Sequence, residues 1–186
     1  MPQSEEAVRE IYVQPGESHL VSEPAVFSTV LGSCVGITFL IPRLGIGALC
    51  HPMLPGYPDP SLACLSIDAG RRYVDFAIRD IARQLDSLGA RRAEAEVKLF
   101  GGGDVLAAIN GSDRPTVGRL NSEAAFAILE DEGFNVRACR LRGTSGVHIQ
   151  FSTVTGEVVV RRLEHNLASP ETNARDKVHR FGAPQQ

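Results

Sequence analysis

Tryptophan is absent from this chain of 186 residues, and methionine occurs only twice. Any core must therefore be built from aliphatic side chains and the eight phenylalanines. Long apolar runs are also missing. The stretch Val35 to Ile41 falls far short of the roughly 18 residues that a membrane-spanning helix needs. No excess of positive charge marks a nucleic-acid binder, since the formal net charge is −3. Cys34, Cys50, Cys64 and Cys139 show no Cys-x-x-Cys spacing, which argues against a zinc site. The opening Met1-Pro2-Gln3-Ser4-Glu5-Glu6 has no apolar stretch of the secretory type. The expectation is a cytoplasmic protein with reduced cysteines and no disulfides.

Hydrophobic residues make up 43% of the chain and charged residues 22%, the balance of an ordinary globular protein. A chain this long buries about 70% of its unfolded surface and reads as one domain spanning 1–186. Its core is expected over about 10–163, with polar, flexible tails at 1–8 and 164–186. Arginine pairs at 71–72, 91–92 and 161–162 are interspersed with acids and read as solvated faces. No internal repeat is visible.

Strand patterning appears near 11–13, 25–31, 35–41, 46–50, 95–100, 134–141, 147–152 and 157–163. Val74, Ala77, Ile78, Ile81, Leu85 and Leu88 recur at helical steps, predicting a helix over 68–88 that Gly89 ends. A second helix is expected over 122–132, capped by Asn121 and stopped by Gly133. Strands thus cluster in runs between two main helices, an α+β arrangement. Gly101-Gly102-Gly103-Asp104 follows a strand but lacks both the GxGxxG pattern and a Walker lysine. A tight turn with Asp104 as helix cap is the better reading than a phosphate cradle. Pro52 to Pro60 is a proline-rich loop, either one wall of a site or a plain connector.

The pair that carries chemistry is Cys34 and His51. A thiol and an imidazole are the minimum for a cysteine hydrolase, in which the ring takes the proton and the sulfur attacks a carbonyl. Taken alone, a free cysteine is more often a small core hydrophobe. Here Gly32, Ser33 and Gly36 surround it and permit close backbone approach. The segment between the two residues reads as a hairpin. If it closes between Pro42 and Arg43, Cys34 and His51 stand directly opposite one another. If Gly45 lengthens the loop, Cys34 opposes Met53 and His51 becomes its diagonal neighbour, about 7–8 Å away at Cα on the same face. A slip by one residue would put them on opposite faces.

The runs Thr29-Val30-Leu31-Gly32-Ser33-Cys34-Val35-Gly36 and Gly45-Ile46-Gly47-Ala48-Leu49-Cys50-His51-Pro52-Met53-Leu54-Pro55 closely resemble the chemoreceptor glutamine deamidases of the CheD family. Tyr73-Val74-Asp75-Phe76-Ala77, Lys98-Leu99-Phe100-Gly101-Gly102-Gly103, Val117-Gly118-Arg119-Leu120-Asn121 and Thr155-Gly156-Glu157-Val158 extend the resemblance over about 10–163. Two positions depart from it. Arg142 stands where the family usually has the first of two glycines, and Val147 where an arginine is usual.

The resemblance implies a layered α/β sandwich with mixed sheets, of the deamidating-toxin type of cysteine hydrolase. It implies a cysteine-dependent protein-glutamine glutaminase that turns chemoreceptor glutamines into glutamates in chemotaxis adaptation. Cys34 would be the nucleophile and His51 the base, with backbone N–H groups around Gly32 and Ser33 holding the oxyanion. The family's threonine upstream of the cysteine matches Thr29 by residue type, with Ser28 as the competing orienting hydroxyl. No cofactor or metal is required. Implied partners are the cytoplasmic helical bundle of methyl-accepting chemoreceptors and a chemotaxis phosphatase of the CheC type. The rival expectations are a non-catalytic docking module for those partners, and receptor methyl-ester hydrolysis at the same site.

Overall fold

The computed structural model describes residues 8–56, 66–104, 115–163 and 178–182. Among the described residues ten strands form two five-stranded sheets. They are β1 (Arg9–Tyr12), β2 (Ser18–Val21), β3 (Ala25–Leu31), β4 (Val35–Ile41), β5 (Ile46–Cys50), β6 (Glu96–Gly101), β7 (Val136–Leu141), β8 (Val147–Ser152), β9 (Val158–Arg162) and β10 (Val178–Phe181). One sheet runs β1-β3-β8-β9-β10 and the other β2-β5-β4-β6-β7. Each is mixed: β1 pairs parallel to β3 and β6 parallel to β7, while the remaining neighbours are antiparallel.

Layering follows from where the apolar side chains go. Ile11, Phe27, Leu31, Leu40, Leu49, Phe100, Ile149 and Phe151 fill the space between the two sheets. The opposite face of the second sheet packs Ile37, Phe39, Ile41, Val97 and Leu99 against the helices. This makes β4 a strand of the middle layer, covered on both sides, so all seven of its residues are buried. The result is an α+β sandwich of helices, central sheet and outer sheet, as expected.

Among the described residues the α-helices are α1 (Ile67–Gly70), α2 (Val74–Ser87) and α3 (Val117–Asp131). The expected first helix is thus broken at 71–73. Val74, Ala77, Ile78, Ile81 and Leu85 face the core, each larger side chain contributing about 1.5–3 kcal/mol by burial, whereas Leu88 is exposed beyond the helix end. Arg71, in the break, donates to the buried Asp80 at 3.0 Å. Arg92 stacks its guanidinium 4.8 Å from the Phe134 ring centre and bonds the Ala82 carbonyl. These two arginines therefore brace α2 rather than form a solvated face.

Three further differences matter. Asn121 does not cap the second helix. That helix starts at Val117, and the Thr116 hydroxyl accepts the Arg119 N–H at its N-terminus. Strand β2 went unforeseen, as did β10, which falls in the expected loose tail and pairs with β9. Lys98 explains why β10 is held. Its buried ammonium donates to the carbonyls of Gly156, Phe181 and Gly182 at 2.7, 2.9 and 3.3 Å. Residues 1–7, 164–177 and 183–186 of the expected tails, residues 57–60 of the proline-rich loop, and Cys64 lie outside the described residues.

Candidate active site

The β4–β5 hairpin closes with the longer loop. Ile37 pairs with Cys50 and Ile41 with Ile46, around a 3₁₀ turn at Pro42–Leu44 and Gly45 at φ +64°. The Val35 N–H reaches the Pro52 carbonyl at 3.3 Å, carrying the same register past the end of β5. Extended by one more residue, that register sets Cys34 opposite Met53, with His51 diagonal to it on the same face. Packing agrees. Cys34 contacts the cluster between the sheets, and His51 bonds to Thr29 of the outer sheet. Cys50, next to His51 in the chain, points the other way into the helix-side core.

Three consecutive carbonyls fix the Gly32–Cys34 loop. Gly103 N–H donates to Gly32 O at 2.8 Å, Asn121 Nδ2 to Ser33 O at 2.9 Å, and Gly102 N–H to Cys34 O at 2.7 Å. The glycine loop is thus the bed on which the cysteine loop lies, and the helix that Asp104 was expected to cap would fall in residues 105–114, outside the described residues. A Cβ at Gly101, which has φ +93°, would collide with the Cys34 carbonyl. Asp104, expected as a cap, accepts from the hydroxyl of Thr116 and from Arg142 at 3.2 Å.

Asn121 was not foreseen as a site residue. It is wholly buried in α3, and its Nδ2 donates also to Met53 O at 2.9 Å. One side chain therefore ties the segment carrying Cys34 to the segment following His51. The Val-Gly-Arg-Leu-Asn motif was the available signal, but an asparagine near a helix start reads locally as a cap.

His51 is held at both backbone atoms. Its N–H donates to Glu17 O at 2.9 Å, and its carbonyl accepts from Gly16 N–H at 2.7 Å. The Thr29 hydroxyl donates to Val13 O at 2.7 Å, and its oxygen lies 2.8 Å from His51 Nδ1. A hydroxyl has one proton, and a carbonyl can only accept. Nδ1–H must therefore donate to Thr29, which leaves Nε2 as the ring's free lone pair. Nε2 is buried and has no protein partner among the described residues. Ser28, the competing hydroxyl, sits one residue along β3, so its side chain alternates to the other face. Its carbonyl serves Val13 N–H.

Burial acts on both ionisable groups. It drives the His51 pKa down to about 4, against the opposing pull of the Val13 carbonyl and the charge of Glu17. Burial also pushes the Cys34 thiol up, partly offset by a bond from its own backbone N–H. Both groups are consequently neutral at pH 7, so the site holds a thiol and an imidazole rather than an ion pair. Cys50 is driven to about 12 by complete burial and behaves as core. Cys139 is exposed on the edge strand β7.

Arg142 takes φ +59°, the left-handed conformation that a glycine adopts without strain, where the resembled family usually has one. Val147 packs at the edge of the inter-sheet core. Among the described residues no helix is long and apolar enough to cross a membrane.

Fold and site together define an α+β sandwich that backs a cysteine loop with glycines and sets a threonine-oriented imidazole on the same face. Comparison with known proteins agrees with this class. A family model described as CheD chemotactic sensory transduction matches residues 53–162. The probable chemoreceptor glutamine deamidase CheD 2 of Geobacter sulfurreducens is 38% identical over 158 residues, covering 85% of this chain and 92% of that protein. The probable chemoreceptor glutamine deamidase CheD of Maridesulfovibrio salexigens is 34% identical over 175 residues, covering 90% and 99%. A namesake from Cupriavidus pinatubonensis is 35% identical over 153 residues, covering 82% and 69%. The chain belongs to the CheD family. The family model begins at Met53, so it takes in the glycine loop and Asn121 but not Cys34 or His51.

Proposed function

We propose that this protein is a cysteine-dependent glutamine deamidase of bacterial chemoreceptors, acting in the cytoplasm on their helical bundle. The names of its relatives supply the reaction and the substrate class. The observation that carries the residue assignment is the bond from His51 Nδ1–H to Thr29, because it presents an unprotonated Nε2 on the face that Cys34 shares.

Since both groups are neutral at rest, proton transfer accompanies attack. Nε2 takes the thiol proton as the Cys34 sulfur bonds to the amide carbon. The backbone amides of Gly32 and Ser33, oriented by their loop's pinned carbonyls, stabilise the oxyanion. The imidazolium then protonates the departing nitrogen, and the carbon–nitrogen bond breaks to release ammonia and leave a thioester. Water attacks that thioester while Nε2 accepts its proton. The carbon–sulfur bond breaks, the imidazolium returns its proton to sulfur, and glutamate is released. A phosphatase of the CheC type is a fitting partner. Incubating a receptor cytoplasmic fragment with this protein should raise target peptides by ~1 Da and release equimolar ammonia. Methanol without ammonia would assign ester hydrolysis instead.

One observation favours a non-catalytic docking module: burial keeps the Cys34 thiol protonated. Under that reading no product forms and Cys34 resists alkylation throughout the neutral range.

A further inference from the structure

A cleft of about 270 Å³ opens at the end of the sandwich that carries the cysteine loop, and Gly32 and Gly101 form part of its wall. Gly32 is two residues from Cys34, within about 7 Å along the chain. Three arginines line the cleft, Arg140 from β7 of the central sheet, Arg142 just beyond that strand, and Arg162 from the end of β9 in the outer sheet. The described lining contains no acidic side chain.

The three arginines differ in what they already hold. Arg142 is committed to Asp104. Arg162 donates to the neutral Ser145 hydroxyl at 3.0 Å and has no ion-pair partner among the described residues. Arg140 Nη1 is buried and has no partner among the described residues. A half-buried guanidinium with an unmet donor carries a desolvation cost that an incoming carboxylate would offset. Two sheets thus bring to one small cleft beside the cysteine loop two guanidinium groups that no carboxylate pairs with among the described residues. The volume suits a side chain rather than a whole cofactor.

Resting on the deamidase reading, we propose that this cleft is a carboxylate-binding subsite. It takes an acidic side chain of the protein substrate that neighbours the target glutamine, so the enzyme prefers glutamines on an acid-bearing helix surface. Paired N–H donors of a guanidinium match the two oxygens of a carboxylate, and that match sets register as well as affinity. A glutamine seated with its acidic neighbour in the cleft is delivered to Cys34 in one orientation.

The test uses two labelled helical peptides. One carries a single glutamine with glutamates three and four positions away, and the other has alanines in place of the glutamates. Fluorescence anisotropy against full-length Cys34→Ala protein measures binding without turnover. The acidic peptide should bind about tenfold more tightly at low salt, and the difference should shrink in about 0.5 M salt. Adding Arg140→Gln and Arg162→Gln should reduce that preference to less than about twofold, with an unchanged melting midpoint. Arg161→Gln, on the same strand but outside the cleft, should retain it. Equal binding of the two peptides, or a preference that survives removal of both arginines, would overturn the proposal. Mass spectrometry of both peptides with wild-type protein separates it from the reading beneath it. Deamidation without preference removes the cleft alone, whereas preferential binding without deamidation keeps the cleft and removes the deamidase.

Discussion

Thr29 Oγ1 and His51 Nδ1 lie 2.8 Å apart, and because the Thr29 proton already goes to Val13, the imidazole is the donor. One hydroxyl on the outer sheet thereby sets the tautomer of a ring at the end of the central sheet. Thr29→Val keeps the shape but removes the hydroxyl that accepts from Nδ1–H and leaves the Val13 carbonyl as the ring's one nearby acceptor among the described residues, which costs about 1–3 kcal/mol and loosens the orientation of the ring. Turnover should fall at least about tenfold, while Ser28→Ala changes it little. The check is kcat with the melting midpoint for both variants. A larger loss in Ser28→Ala would reassign the orienting role.

His51 also makes stability depend on pH. In the unfolded chain its ring binds a proton below about pH 6.5, whereas the folded ring refuses one until about pH 4. Stability is therefore full above 6.5 and falls as pH drops towards 4, by up to about 3 kcal/mol. Denaturant unfolding at pH 7 and pH 5 should show about 2 kcal/mol of this loss in the wild type and a smaller one in His51→Asn. Equal pH slopes in the two proteins would contradict the burial argument.

Asn121 joins the two halves of the site. In Asn121→Leu the carbonyls of Ser33 and Met53 both lose their donor. About 2–3 kcal/mol of stability should go, and kcat should fall more than KM rises, since the Cys34 loop loses its fixed geometry. A variant with lowered stability but normal kcat would confine Asn121 to folding.

Glycine at 101 is demanded twice over, by φ +93° and by the approach of the Cys34 carbonyl. Gly101→Ala should cost more than about 2 kcal/mol, and Gly143→Ala, whose added methyl meets nothing within 4 Å, less than about 0.5. Chemical denaturation of the two variants compares them directly.

These differences trace what a linear sequence carries. Strands β3, β4 and β5 matched their expected bounds because Gly32-Ser33 and Pro42-Arg43-Leu44-Gly45 interrupt apolar runs locally. The hairpin register could not be chosen in advance, since it depends on whether the turn takes up Gly45 as a left-handed residue. Thr29, Cys34 and His51 were legible as residue types in motifs, and their shared face followed from strand parity. Asn121 was misread because its partners lie 88 and 68 residues away, while its helix is started by Thr116. Strand β10 was missed because it is only four residues long in a largely polar stretch, and it is anchored by the Lys98 ammonium more than 80 residues earlier in the chain. Local pattern reports elements; these long-range bonds to backbone carbonyls assemble the site.

If the Cys34 sulfur attacks a receptor glutamine, conversion requires that sulfur. Mass spectrometry of a receptor cytoplasmic fragment, incubated with wild-type protein and with Cys34→Ala, tests it most directly. The expected result is a ~1 Da gain at defined glutamines with the wild type, and none above background with a Cys34→Ala protein of unchanged melting midpoint. The same gain at the same rate from Cys34→Ala would contradict it.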